Sequence, residues 1–347
     1  MTTRPTADRR PELDVLRCVA VYLVIGLHCI ASVIINSTIF GTRTWWVANV
    51  CSSFVRMGVP LFFMLSGCLL LSDPRTLEIG TFYRRRLGKL LPPFLIWDMV
   101  YFLDRCATDG IKPDLRIFFK DLTIQGSKYH LWFVYQIIGL YLLMPFLKKV
   151  VDHCTTGELT VFLVVVLLQP TLFRFLNLVQ TVVWLAPFQA LVEGYVGFLL
   201  MGYLLGCREL SPKVRHCIYA LGVVGVVVGI WGNYVYSTPA NMELPFNEGY
   251  SISHYLTSGA CFVLAQQHAG KLPQWLLRAA GKVSRLTYGI YLIHVLVLDQ
   301  VYRNIGYIMP GYTPAEFVCV SFLVVSVVST AAIWAISHIP VARKLLL

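Results

Sequence analysis

Arg17 and His28 stand eleven residues apart within the apolar stretch 14–35, and an ionisable side chain inside a membrane-length helix needs a partner or a task. At about 100° per residue, eleven residues make roughly three turns plus 20°, so both side chains share one face about 16 Å apart along the axis. The first can hold an anion and the second can move a proton. Asp14 precedes Arg17 by one turn, placed to fix the guanidinium rotamer, and Val21 and Val24 continue the stripe up to His28, with Ser32 a turn beyond. A neutral imidazole at mid-membrane depth can take a proton from a hydroxyl. The competing reading is a histidine hydrogen-bonded between helices for packing alone, and spacing does not separate the two.

Other residues suggest what such a base would serve. Arg84, Arg85, Arg86 and Lys89 follow the second apolar run, and planar guanidinium groups grip phosphate bidentately; the same cluster also serves as a topology determinant. Helical spacing puts Arg86 and Lys89 on one face, with Arg84 a neighbouring turn away. Ser66-Gly67 offers a hydroxyl and a close helix approach, with packing as the simpler reading. Arg56, expected near the outer end of the same helix, either neutralises an acidic acceptor or snorkels to the interface. Tyr129, His130, Trp132, Phe133 and Tyr135 form an aromatic cluster that suits sugar stacking or an interfacial belt. Glu193 sits inside an apolar run, where an unpaired carboxylate is costly, and is expected to face the bundle interior. Tyr288, Tyr291 and His294 lie within the ninth run, as a second set of polar contacts beside His28. The segment 241–250 carries Glu243 and Glu248 and either shapes acceptor choice or is a solvated loop.

The elements that must position these residues follow from composition. Of 347 residues, 57% are hydrophobic and only 14% charged, with mean hydropathy +0.67, values that describe an integral membrane protein. Apolar runs near 15–35, 53–72, 90–104, 130–147, 160–176, 190–206, 217–236, 251–267, 286–303 and 315–337 predict an all-α, polytopic protein with about ten transmembrane helices. The net charge of +11 does not signal nucleic acid, because its placement alternates from loop to loop. With the N-terminus inside, nineteen Lys and Arg fall on the inner side and eight on the outer, which predicts cytoplasmic N- and C-termini. The segment between the third and fourth runs, with five of those eight, is the exception. The first run is too long and lacks a small-residue site for a cleavable signal, so it is expected to be its own insertion signal.

The organisation expected is a leader over 1–13, one transmembrane domain over 14–337 and a tail over 338–347, without repeats or linkers. The ten cysteines show no CxxC and no Cys/His cluster of zinc spacing, so no metal is expected and most read as packing residues. Cys51 and Cys106 both approach the expected outer face, which permits a disulfide without supporting one.

Five motifs in order along the chain carry a resemblance. These are Glu12 to His28, with Arg, ten residues, then His; Val59-Pro60-Leu61-Phe62-Phe63-Met64-Leu65-Ser66-Gly67; Phe82 to Arg86 running into Leu91-Pro92-Pro93; His130-Leu131-Trp132-Phe133; and Tyr288 to His294. Together they resemble the membrane acyltransferase-3 family, nearest to the single-domain glycan O-acetyltransferases of bacterial inner membranes, of the enterobacterial common antigen type. The resemblance implies transfer of an acyl group, usually acetyl from cytoplasmic acetyl-CoA, to a sugar hydroxyl of a lipid-linked or surface-destined glycan. It leaves the acceptor unnamed. Some relatives carry a fused SGNH domain that finishes the transfer outside; without it, either the membrane domain completes the reaction or a separate partner does.

On this reading Arg17, Arg84, Arg85, Arg86 and Lys89 hold the donor, Asp14 sets Arg17, and His28 is the base. Ser66 or a backbone amide meets the oxyanion, while Arg56, His130, Trp132, Glu193, Tyr291 and His294 face the acceptor. Direct transfer is the simpler scheme, with an acyl-enzyme on Ser66 or His28 as the other. The rival class is a transporter of acetyl groups or glycans, since intramembrane Arg, His and Glu also mark transport pathways; paired halves with matching broken helices, its expected signature, are not seen in the sequence. A further alternative is a non-catalytic scaffold. A homodimer is left open.

Overall fold

The computed structural model describes residues 10–179, 195–242, 244–249 and 251–346. They are helical throughout, with no strand among the described residues. The helices are α1 (Pro11–Ile34), α2 (Arg43–Val55), α3 (Gly58–Leu70), α4 (Ile79–Asp109), α5 (Leu115–Ile124), α6 (Trp132–His153) and α7 (Thr156–Val179). Then follow α8 (Val196–Gly206), α9 (Pro212–Tyr236), α10 (Ile252–His268), α11 (Gln274–Val283), α12 (Thr287–Ile308), α13 (Pro314–Ser337) and α14 (Pro340–Leu346). Among the described residues, five segments are long and apolar enough to cross a membrane: Pro11–Ile34, Arg43–Leu70, Tyr129–His153, Pro212–Tyr236 and Pro314–Ser337.

Two compact units divide the chain, the first comprising Met1–Thr76 and Phe146–Gly281, the second Leu77–Pro145 and Lys282–Leu347. In the first unit α1 packs on α2, α3 and α10 through the buried stripe Leu13, Leu16, Ala20, Val21, Val24 and Ile25. Among the described residues, the closest glycine contacts join α3 to α8. A Cβ on Gly67 would lie 1.9 Å from the Leu199 carbonyl oxygen, and one on Gly202 2.0 Å from that of Met64, so the two backbones touch where neither has a side chain. Without a hydrophobic drive between helices in lipid, such backbone contact is how a bundle gains packing energy.

The apolar run expected over 53–72 proves to be two helices. The chain turns at Arg56 and Met57, and α3 begins with Gly58-Val59-Pro60, where a proline in the first turn loses no intrahelical hydrogen bond. Pro92 and Pro93 behave oppositely, sitting inside α4 without ending it; at 31 residues, α4 runs about 46 Å.

In the second unit α4 packs on α5, α12 and α14, and α12 on α13. The basic segment between the third and fourth apolar runs is not a bare loop, since it contains α5, whose Phe118 packs with Phe102 and Cys106. Two of its five cations are paired, Arg105 with Asp121 and Lys128 with Asp299 at 2.6 Å; Arg303 of α12 meets Asp104 at 2.8 Å. The ten cysteines are free thiols, Cys51 exposed and Cys106 buried.

Candidate functional site

Pro11 opens α1, and Glu12 and Asp14 occupy its first turn, where acidic side chains suit the helix dipole. The helix then runs unbroken to Ile34, so Arg17 and His28 ride on one rod, about 16 Å apart along its axis. Asp14 Oδ1 lies 3.3 Å from Arg17 Nη1, and both side chains are half-buried. His28 is half-buried as well. The neighbouring positions of α1 are sealed, with Val21 and Ile25 at 0% exposure and Val24 at 1%. A rigid helix thus carries an oriented guanidinium and a partly accessible imidazole.

Ser66 donates its hydroxyl to the Phe62 carbonyl at 3.0 Å, the back-bond that serine makes inside helices. Its neighbour Gly67 supplies the backbone contact with α8 described above. The packing role anticipated for this pair is therefore realised by Gly67.

Arg84, Arg85, Arg86 and Lys89 all lie exposed in the first three turns of α4, and none forms an ion pair with a described residue. They belong to the second unit, whereas Arg17 and His28 belong to the first. Their free guanidinium forks present a compact cationic surface able to take several phosphate oxygens.

His130 and His294, both expected to face the acceptor, are 1% and 0% exposed. Their rings are 5.3 Å apart. Tyr101 lies edge-on to His130 at 5.0 Å, and Tyr291 packs 5.6 Å from each histidine. Tyr291 donates its hydroxyl to the His130 carbonyl, and His294 Nδ1 donates to the Tyr291 carbonyl. Tyr101 donates to the Leu292 carbonyl at 2.6 Å and accepts from the Leu296 amide at 3.1 Å. The 3-10 turn Tyr129–Leu131 is thereby bolted to α12, and Trp132, just after it, stays exposed at 36%.

Arg56 lies in the joint between α2 and α3 and is half-buried. Its Nη1 donates to the Asn247 carbonyl at 2.6 Å and its Nε to Ser52 Oγ at 3.2 Å. Glu193 falls outside the described residues, as does Glu243. Among the described residues no group of His, Cys, Asp and Glu could hold a metal ion.

Two buried polar residues escaped the sequence reading. His254, 2% exposed on α10, donates from Nδ1 to the Glu248 carbonyl at 2.7 Å. Asp98, 0% exposed on α4, accepts the Ser127 amide at 2.6 Å and so anchors the chain just before the His130 turn. Each is an ionisable residue inside an expected span, the criterion that singled out His28, and that signal was available for both.

The described residues form a helical bundle with membrane-length apolar helices, whose first helix carries an oriented arginine and a partly accessible imidazole. The acyltransferase-3 family model, described as an acyltransferase domain, matches residues 10–337. The chain belongs to this family, and it is a membrane acyltransferase in that general sense. No curated protein and no solved structure matches it.

Proposed function

We propose that this protein moves an acetyl group from cytoplasmic acetyl-CoA to a sugar hydroxyl of a lipid-linked or cell-surface glycan, in the manner of the enterobacterial common antigen type. It would do so in the inner membrane of a bacterium, with about ten spans and both termini cytoplasmic. The observation that supports this reading most is the coincidence of α1's geometry with the family match: Asp14, Arg17 and His28 sit on one unbroken helix within the matched residues.

In the proposed reaction the exposed Arg84, Arg85, Arg86 and Lys89 bind the donor's phosphates, and Arg17, steered by Asp14, holds the arm that leads to the thioester. The acceptor hydroxyl gives its proton to an imidazole nitrogen of His28 as its oxygen attacks the acyl carbon. The tetrahedral oxyanion is met by a backbone amide or by the Ser66 hydroxyl once it leaves the Phe62 carbonyl. Collapse expels the CoA thiolate, which takes the proton from the imidazolium, so one ester forms as one thioester breaks and the base is regenerated.

Acceptor recognition is assigned to the exposed Trp132, whose turn His130, Tyr291 and His294 hold in place, and, separately, Arg56 is assigned to an acidic carrier and Glu193 to the acceptor. The test is incubation of membranes containing the protein with radiolabelled acetyl-CoA and an envelope glycan extract. Label should enter glycan only when the protein is present. Acetyl-CoA binding that is absent altogether would shift the reading to a transporter.

A further inference from the structure

We infer that the buried donors around Arg56 form a binding site for a phosphate group, and that its source is the phosphate linkage of a lipid-borne acceptor. The inference rests on the acyl-transfer reading for that source, while the site itself rests on hydrogen-bond accounting within the first unit.

Arg56 spends two of its donors on neutral acceptors, the Asn247 carbonyl and Ser52 Oγ. No described carboxylate forms an ion pair with it. Glu248, exposed on the neighbouring loop, acts on it only through space. A half-buried guanidinium in an apolar bundle normally finds a counter-charge.

Around it, acceptors are used up and donors remain. Asn247 is 7% exposed; its Oδ1 takes Asn233 Nδ2 at 2.9 Å, while its Nδ2 is buried with no partner. Asn233 also donates to Asn49 Oδ1 at 3.3 Å and accepts the Phe246 amide at 3.0 Å, and Asn49 donates to the Ile230 carbonyl at 2.8 Å. The chain Asn49–Asn233–Asn247 is thus saturated except at its last amide. Four residues on, Ser251 gives its hydroxyl to the Phe246 carbonyl and makes no side-chain cap at the start of α10. His254 pins the loop through the Glu248 carbonyl.

Among the described residues the surplus therefore consists of one cation and one amide, both donors. A sugar hydroxyl would satisfy the amide but not the charge, whereas phosphate oxygens satisfy both. The positive-inside pattern places this loop on the outer side, where a phosphate linking an isoprenyl carrier to its glycan would lie at headgroup depth. A phospholipid headgroup offers the same chemistry, and the experiment separates the two.

The test uses the full chain in uncharged maltoside micelles, following thermal loss of helical circular dichroism with farnesyl phosphate, farnesol, phosphatidylglycerol or phosphatidylcholine. Farnesyl phosphate at saturation is expected to raise the midpoint by about 2–4 °C over farnesol. That gain should vanish in Arg56→Gln and in Asn247→Asp, which keeps the Oδ1 acceptor but replaces the donor with a negative charge. If Arg56→Gln does not fold, Asn247→Asp carries the test. A larger gain from phosphatidylglycerol than from farnesyl phosphate would overturn the acceptor as source. Equal midpoints with all four additives, or a gain that persists in both variants, would overturn the site. Neither acetyl-CoA nor turnover enters the measurement, so its failure leaves the transferase reading to be judged by label transfer alone.

Discussion

His28 and His294 sit on long helices in the same apolar chain, yet their surroundings could hardly differ more. His294 is wholly enclosed, ringed by Tyr291 and His130, with both histidines tied into a hydrogen-bonded turn. His28 is half-buried on a helix whose inner stripe is sealed and whose N-terminal end carries an aspartate-steered arginine. Burial without a route suits a histidine that shapes a fold; partial access on a rigid rod suits one that meets a substrate. The contrast teaches that, among histidines on apolar helices, accessibility distinguishes them better than position along the helix.

Substitutions can break or sharpen that contrast. His28→Ala should lower the rate of acyl transfer per folded molecule by about 10²–10⁴-fold, the usual worth of a general base, with an unchanged melting midpoint. Arg17→Ala should weaken the apparent affinity for acetyl-CoA by about tenfold or more, read as a rise in donor KM greater than the fall in kcat, because a charge-assisted hydrogen bond is lost. Asp14→Asn should give a smaller change of the same kind.

Gly67→Ala belongs to a third category, since its methyl group would meet the Leu199 carbonyl oxygen at 1.9 Å. Forcing α3 from α8 should cost about 1–3 kcal/mol, visible as a lower midpoint in detergent whatever the substrate. Tyr291→Phe should be of similar or smaller size, about 1–3 kcal/mol for stranding the buried His130 carbonyl. Acetyl-CoA affinity should be untouched by it, so a Tyr291→Phe protein that is fully stable but no longer binds donor would reverse the roles assigned to the two histidines.

Much of this was legible in the sequence where physics is local. Apolar length gave α1, α6, α9 and α13, and eleven-residue spacing gave the shared face of Arg17 and His28. Gly67 read correctly as a close-approach residue. The joint at Arg56 was also written locally, in Pro60, but an unbroken apolar run concealed it, while Pro92 and Pro93 look like a break and are not one, because neighbours in a bundle can re-satisfy freed backbone groups. The helices α5 and α11 were missed because they are short and amphipathic rather than apolar. What could not be read were meetings across the chain: His130 and His294 are far apart in sequence, and nothing local says that Tyr291 will seal one against the other. The buried Asp98 and His254 obey the rule that exposed His28, and applying it evenly would have found them.

The most direct measurement sets His28→Ala beside Tyr291→Phe in one assay, counting acetyl groups moved from labelled acetyl-CoA to glycan per folded molecule. The account predicts almost no transfer from His28→Ala with donor binding intact, and near-normal transfer from whatever fraction of Tyr291→Phe remains folded. Normal turnover by folded His28→Ala protein would contradict it.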